Sequence, residues 1–407
     1  MNTPGTDRPK LADATLSLHA GEGVRNVGEP LNAPPAFSTS FYSHPDAIGF
    51  SANDLSPDAP QFYTRWGNPT LDLLERRLAA LEQGEAAASF ASGMAAITAL
   101  LFHRLKAGDH LVLSDVCYAG VAELAHDTLP RYGIEVSRVD ASRPEAVAAA
   151  MRPNTRHVHV ETPANPILRL ADVAAIARIA HDGGAELSVD STIGTPLATK
   201  PLLLGADYVV HSLTKYLCGH GDALGGAVIG RGDAMAGLRQ SNLIHLGGCL
   251  APFSAWLILR GLETLAPRMA LHEANARRVE AFLADHPRVR SVLWPGSPRH
   301  PQHDLAARQM RNFSGLLAFS VKDGEGPALA RRMADRLKVF SYAVSLGKAK
   351  SLIFYIPTAD ILRSSFRLEG PDAESYREWA GEGVFRVSVG LEDADDLIAD
   401  LDAALGA

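Results

Sequence analysis

Residues 206–226, ADYVVHSLTKYLCGHGDALGG, constrain the chain more than any other stretch. Tyr208, Val209 and Val210 make a short apolar run of the kind found in a strand covered on both faces. Lys215 follows within a few residues, flanked by Ser212, Thr214 and Tyr216, where the strand ends and a glycine-rich loop begins. In open α/β sheets that edge is where ligands bind. Gly219, Gly221, Gly225 and Gly226 let backbone approach something bulky. Taken alone, the stretch fits a solvated lysine and turn glycines equally well.

Asp190 tips the balance. In AELSVDSTIGTP, a strand from Glu186 to Val189 delivers Asp190 at its C-terminal end, so Asp190 and Lys215 share one edge of a sheet. A partly desolvated lysine amine attacks carbonyls, and a nearby carboxylate holds a ring nitrogen protonated. Pyridoxal 5'-phosphate (PLP) chemistry requires that pair, a lysine that forms a Schiff base and an acidic partner for the pyridinium.

From Asn68 the chain alternates helices and strands. Asn68 caps a helix, Pro69 fits its first turn, and Leu71, Leu74, Leu78 and Leu81 follow one face before Gly84. Strands are predicted over 86–90, 110–114, 134–139 and 157–161, with helices over 144–151 and 171–181. This spacing predicts an α/β fold with a mainly parallel sheet covered on both faces. A further helix opens at Ser92-Gly93-Met94. Ser92 there is an N-cap, and the free backbone N–H groups aligned with the helix dipole form a seat for a phosphate. Residues 1–66, rich in Pro, Gly, Ser and Asn, read as an irregular arm. From about residue 265 a smaller α+β domain is expected, which leaves 67–264 as the large domain.

VDSTIGTP followed by GADYVVHSLTKYLCGHGDALGG resembles the cysteine/methionine-metabolism (transsulfuration) family of PLP-dependent enzymes. That family holds cystathionine synthases and lyases, methionine γ-lyases and O-acetylhomoserine sulfhydrylases. Matches run in order from LSLHAGEG and PLNAPPAFSTSFY through QFYTRWGNPT, ETPANP and VFSYAVSLGKAKSLI to VFRVSVGLED. The resemblance implies the aspartate-aminotransferase-like fold (fold type I), with an arm that wraps a neighbouring subunit in a homotetramer of two dimers. It implies that Lys215 carries PLP, that Asp190 faces the pyridine nitrogen and that Tyr118 stacks on the ring and can pass a proton near the leaving group. Asn165 would bond the phenolic oxygen, and Ser92, Gly93, Met94, Ser212 and Thr214 would complete the cofactor contacts. Tyr63 and Arg65 would reach the phosphate in the adjacent subunit, with Tyr63 also at the substrate. Arg386, assisted by Ser345, would receive the substrate α-carboxylate. Plainer accounts exist for several of these: Arg65 on the surface with Tyr63 in an interface, a turn built by Pro163 and Pro166 around Asn165, or an internal ion pair of Arg386 with Glu392 or Asp393.

The expected reaction is γ-elimination from a methionine-, homocysteine- or cystathionine-like amino acid, giving a 2-keto acid, ammonia and a thiol. A γ-replacement synthase acting on O-acetyl- or O-succinyl-homoserine is the main alternative, and a non-catalytic PLP-binding protein a third. Gly120 stands where methionine lyases carry a cysteine, Ser191 where an asparagine is usual and Val121 where a threonine is frequent. Lys348 and Lys350 stand where many relatives carry a glycine and an acidic residue. Lys350 reverses the local charge, which disfavours a substrate with a second ammonium.

The net charge of −7 and the lack of a basic cluster argue against nucleic acid or an anionic membrane as partner, leaving a small-molecule amino acid. Cys117, Cys218 and Cys249 lie far apart with no C-x-x-C pair, which predicts a reducing, cytoplasmic setting and no metal site. The polar start MNTPGTDRPK reads as neither signal peptide nor anchor. No dinucleotide fingerprint, phosphate-binding P-loop, zinc-protease or serine-hydrolase motif is present.

Overall fold

Alternate residues of one central strand show why it is apolar on both sides. Leu111 and Leu113 pack on one side with Ile97, Leu100 and Val210, whereas Val112 between them packs on the other with Val147, Val158 and Ile176. A strand buried on both faces has no polar side to display. The computed structural model describes residues 11–23, 26–44, 51, 60–322 and 324–406. The N-terminal decapeptide and parts of the predicted arm lie outside the described residues.

Seven strands make the larger sheet: β1 (Ala86–Phe90), β2 (His110–Ser114), β3 (Glu135–Val139), β4 (Thr155–Glu161), β5 (Glu186–Asp190), β6 (Tyr208–Ser212) and β7 (Gly226–Gly230). Their spatial order is β1-β7-β6-β5-β4-β2-β3. Strands β6, β5, β4, β2 and β3 pair in parallel, while β7 runs antiparallel to both its neighbours. Helices Gly93–Arg104, Pro144–Ala150 and Val173–Asp182 supply the cover. Asn68 Oδ1 accepts from Thr70 N at 2.9 Å and Ser92 Oγ from Ala95 N at 3.1 Å, the two caps the sequence predicts.

A smaller sheet follows the long helix Leu265–Asp285. It contains β8 (Val289–Leu293), β9 (Leu316–Val321), β10 (Ser341–Tyr342), β11 (Leu352–Pro357) and β12 (Gly383–Ser388), ordered β10-β11-β12-β9-β8. Only β10 and β11 pair in parallel. Leu317, Phe319, Phe385 and Val387 bury one face against Ala276, Val279 and Leu283 of the long helix and Leu397 and Leu401 of helix Ala394–Leu405.

Two elements depart from the sequence expectation. GAVIG, which follows the glycine-rich stretch and is given no strand from sequence, forms β7, buried along its whole length. Its Gly226 is there for space, since a Cβ would collide with Ser92 O. Within the predicted irregular arm, Asp13–His19 is helical. Non-local contacts hold it: Lys200 Nζ bonds Asp13 at 3.0 Å, and Arg77 Nε donates to Ala20 O at 3.2 Å just beyond its end. Among the described residues no helix is long and apolar enough to cross a membrane.

Candidate active site

Lys215 lies in a turn that continues β6. Lys215 N bonds Ser212 O at 3.2 Å and Gly219 N bonds Lys215 O at 2.7 Å. Leu213, Tyr216, Leu217 and Cys218 are buried and anchor the turn, which leaves Lys215 half-buried with Nζ 3.4 Å from Ser345 Oγ. Behind the turn, the buried Arg268 guanidinium donates to Tyr216 O at 2.8 Å and Gly261 O at 2.7 Å. Gly219, at φ +76°, leaves the room this guanidinium occupies. Burial first, then the cation of Arg386 and more weakly that of Lys348, push the Lys215 amine below the ordinary lysine range, while Asp190 acts against them. The amine is therefore neutral more often than that of an exposed lysine.

Asp190 ends β5, buried, with Oδ1 accepting from Thr192 N at 3.0 Å. Parallel pairing sets Glu161 of β4 opposite it. On the same face His157 Nε2 and His159 Nδ1 each lie 2.7 Å from Ser188 Oγ. Burial lowers His159 to about 4 and His157 well below its ordinary value, so both rings are neutral. Sequence reasoning missed it, although the alternation His157, His159, Glu161 on one strand was the available signal.

At the start of helix Gly93–Arg104, β6 and β7 press close. A Cβ at Gly93 would lie 3.0 Å from Ser212 Cβ. The Ser212 and Thr214 hydroxyls flank this corner, and Thr214 Oγ1 accepts from Gly225 N at 3.1 Å. Exposed N–H groups at a helix start beside two hydroxyls suit a phosphate.

Arg386 projects from β12, donating from Nη1 to Asn165 Oδ1 at 3.1 Å and from Nη2 to Ser345 O at 2.9 Å. Its Nε is buried without a partner, and burial lowers the guanidinium to about 10. The ion pair with Glu392 or Asp393 is not formed. Glu392 accepts from Ser351 N and Oγ, each at 2.8 Å, and Asp393 caps the last helix through Asp395 N. Ser345 adopts φ +88°, a conformation that L-residues rarely hold, at the point where Lys215 and Arg386 meet. Tyr118 keeps its ring half exposed while its N–H donates to Glu161 Oε2 at 2.6 Å. Asn165 N donates to Glu161 Oε1 at 2.8 Å.

Tyr63 and Arg65 have partners outside this cluster. Arg65 Nη1 donates to Ile244 O at 2.8 Å, and its guanidinium carbon lies 5.4 Å from the Tyr63 ring centroid. A Cβ at Gly120 would meet the Tyr118 ring at 2.9 Å and the Met94 sulfur at 3.1 Å, so the missing side chain is filled by those two groups. Of the two unusual lysines, Lys350 is exposed. It is Lys348 that lines a cavity of about 390 Å³ with Thr214, Asp222, Leu224 and Ser345.

These residues fit PLP on their own chemistry. A half-buried amine of lowered proton affinity suits an aldehyde, a buried carboxylate suits a ring nitrogen, and the glycine-cleared helix start suits a phosphate. Among the described residues no group of three or more His, Cys, Asp or Glu side chains is placed to hold a metal ion. Residues 14–406 match the sequence model of the family described as Cys/Met metabolism PLP-dependent enzyme. An L-methionine gamma-lyase of Pseudomonas putida is 41% identical over 395 residues, covering 97% of both chains. A canavanine gamma-lyase of Rhizobium leguminosarum bv. trifolii is 41% identical over 398 residues, covering 97% of this chain and 96% of its own. The crystal structure of metB from Corynebacterium glutamicum superposes with a TM-score of 0.85 at 35% identity, covering 97% of this chain and 98% of that one. A cystathionine gamma-lyase from Lactobacillus plantarum, complexed with L-serine, also gives 0.85, at 32% identity and the same coverage. The chain belongs to the PLP-dependent enzymes of cysteine and methionine metabolism.

Proposed function

We propose that the protein is a PLP-dependent carbon–sulfur lyase that removes the γ-substituent of a methionine- or homocysteine-like amino acid, giving a 2-keto acid, ammonia and a thiol. The observation that carries this reading is the meeting of the Lys215 amine and the Arg386 guanidinium at Ser345. That geometry supports a base beside a receptor for an α-carboxylate. End-to-end relatives named for methionine and for canavanine share the words gamma-lyase, which supports elimination at Cγ as the reaction in common.

Lys215, Asp190, Tyr118, Asn165, Ser212, Thr214 and the 92–94 helix start would hold PLP, which when bound supplies an electron sink for negative charge at Cα and Cβ. Arg386 offers the fork that grips a carboxylate, and Ser345 O, one of its present acceptors, is a neutral oxygen that a carboxylate outcompetes. Lys215 Nζ takes the proton from Cα and works next at Cβ. Its lowered proton affinity suits both transfers. The Tyr118 hydroxyl protonates the departing sulfur. Asp190, buried and held by Thr192 N, keeps a positive charge on the group it faces.

Tyr63 and Arg65 act on the site of a neighbouring subunit in a homotetramer of two dimers. Large exposed apolar side chains support such contact, among them Val27, Leu31, Phe37, Tyr42 and Phe253. Three cysteines without disulfides support a cytoplasmic setting. The decisive assay incubates holoenzyme with methionine and, separately, with O-acetylhomoserine plus a thiol. Keto acid and thiol from the first without thioether from the second is the expected result. The reverse would make the protein a γ-replacement synthase.

A further inference from the structure

One buried carboxylate touches both sides of the candidate site. Glu161 Oε2 accepts the Tyr118 N–H at 2.6 Å and Glu161 Oε1 accepts the Asn165 N–H at 2.8 Å, joining the backbone of residue 118 to that of residue 165. Tyr118 opens helix Ala119–Glu123, which has no side-chain cap, so this bond is what fixes where the phenol starts. Asn165 in turn carries Arg386 on its Oδ1. The same two loops are tied at their other ends by Arg169, paired with Asp115 and, at 3.2 Å, with Asp140. Glu161 therefore closes a frame whose far side is already ionic.

We propose that Glu161 is a positioning residue that sets, through two backbone hydrogen bonds, both the ring-side Tyr118 and the Asn165–Arg386 receptor for the substrate α-carboxylate. Its role rests on the reading of Arg386 given above. The chemistry singles out glutamate. A carboxyl group offers an acceptor oxygen at each end of one short fork. Glutamine would aim its NH2 at one of the two N–H groups, aspartate is too short to serve both, and alanine would leave two buried donors unpaired. Burial first, then the neighbouring Asp190, raise Glu161 well above the ordinary carboxylate range against the pull of the two N–H bonds, so its role rests on the geometry of those bonds. A buried carboxylate elsewhere, Asp400, also accepts several backbone N–H groups, but all from one segment, residues 338–340. Glu161 holds two loops that each contribute a side chain to the site.

The test uses holoenzyme and norleucine, an amino acid with no leaving group at Cγ, whose binding is read from the cofactor absorbance and needs no turnover. Glu161→Gln is expected to weaken norleucine binding about 10- to 100-fold, the loss for one buried charged hydrogen bond, and to raise the methionine KM by a similar factor. In an Asn165→Ala background the same substitution should weaken norleucine binding less than about threefold, since the path through Asn165 is already cut. Hydrogen exchange of the apo form should speed up at the amides of residues 118 and 165 and not along the rest of β4. Norleucine affinity within about twofold of the parent, an undiminished loss in the Asn165→Ala background, or unchanged protection of those amides would each overturn the proposal. If Glu161→Gln does not fold, Glu161→Asp serves, and parental norleucine affinity in that variant overturns it equally. Absent methionine turnover with intact norleucine binding would count against the lyase reading and leave this test standing.

Discussion

Lys215 Nζ donates to Ser345 Oγ at 3.4 Å, a contact that spans 130 positions of sequence and ties the turn after β6 to the segment between β10 and β11. The neighbouring bond from Arg386 to Ser345 O puts two cations on one residue. The charge on Arg386 loosens the lysine's hold on its proton, second only to burial.

Removing Arg386 should therefore act on Lys215 as well as on substrate. Arg386→Ala takes away a cation that lowers the lysine, so the lysine moves up and holds its proton to higher pH. The rate at which apo-protein attaches PLP, followed against pH, should rise at higher pH in the variant than in the parent. Lys215→Ala should abolish attachment. The kcat/KM for substrate should fall at least about a hundredfold in Arg386→Ala, as for loss of a charged pair. An unshifted attachment profile would show that the two cations do not communicate.

The corner at Gly226 predicts a backbone effect. A Cβ there collides with Ser92 O, and neither β7 nor the helix start can swing aside as a flexible side chain would. Gly226→Ala should cost about 1–3 kcal/mol of stability and weaken cofactor binding, measured by denaturation and by PLP titration. Gly23→Ala, in open space, is the control and should change neither. Unaltered PLP affinity in Gly226→Ala would separate this corner from the phosphate.

Lys348, in the cavity beside Ser345, predicts selectivity. A cation there disfavours substrates that carry a second positive charge beyond Cγ. Asp222 lines the same cavity and offsets part of this, so the effect is a ratio rather than a block. Lys348→Met should raise kcat/KM for a cationic substrate such as canavanine, relative to methionine, about tenfold, the scale of a like-charge contact at a half-buried site. An unchanged ratio would place Lys348 outside substrate recognition.

Acid sensitivity follows from buried imidazoles. Burial lowers His159, His272 and His300 to about 4 each, whereas in the unfolded chain they protonate near ~6.5. Below ~6.5 the unfolded chain binds the extra protons, so stability falls with pH through the window down to about 4, by up to ~1.4 kcal/mol per unit for each group. Asp72 has the opposite sign. Burial and Glu75 raise it to about 6, so the folded chain regains a proton there first and gains stability as pH falls towards ~4. Asp115, Glu161 and Glu273 are raised as well, but His103, His110, His126 and His157 are lowered alongside the three rings, so the imidazoles outnumber the carboxyls. Denaturant midpoints at pH 7, 6 and 5 should decline in that order, and a flat series would mean that these rings titrate normally.

The legible parts of the fold were those decided locally. Asn68 and Ser92 announce helix starts by their own side chains, and β2 and β6 announce themselves by short apolar runs. Strand β7 was illegible because glycines chosen for close approach look like loop, and helix Asp13–His19 because its support comes from Arg77 and Lys200. In the site, Lys215 and Asp190 could be paired from strand ends. The bridge through Glu161 could not, since it needs residues 118, 161 and 165 to meet in space. Nor could the choice between Lys348 and Lys350, two positions apart on an irregular loop whose direction only packing decides.

Arg386 rides on the smaller sheet and Asn165 on a loop of the larger one, yet their bond is 3.1 Å. Any ligand that captures this arginine must select one placement of the small sheet against the large one. Occupancy and overall shape are thus two readings of a single equilibrium, and scattering from the protein in solution should register the arrival of an amino acid before any bond in it has broken.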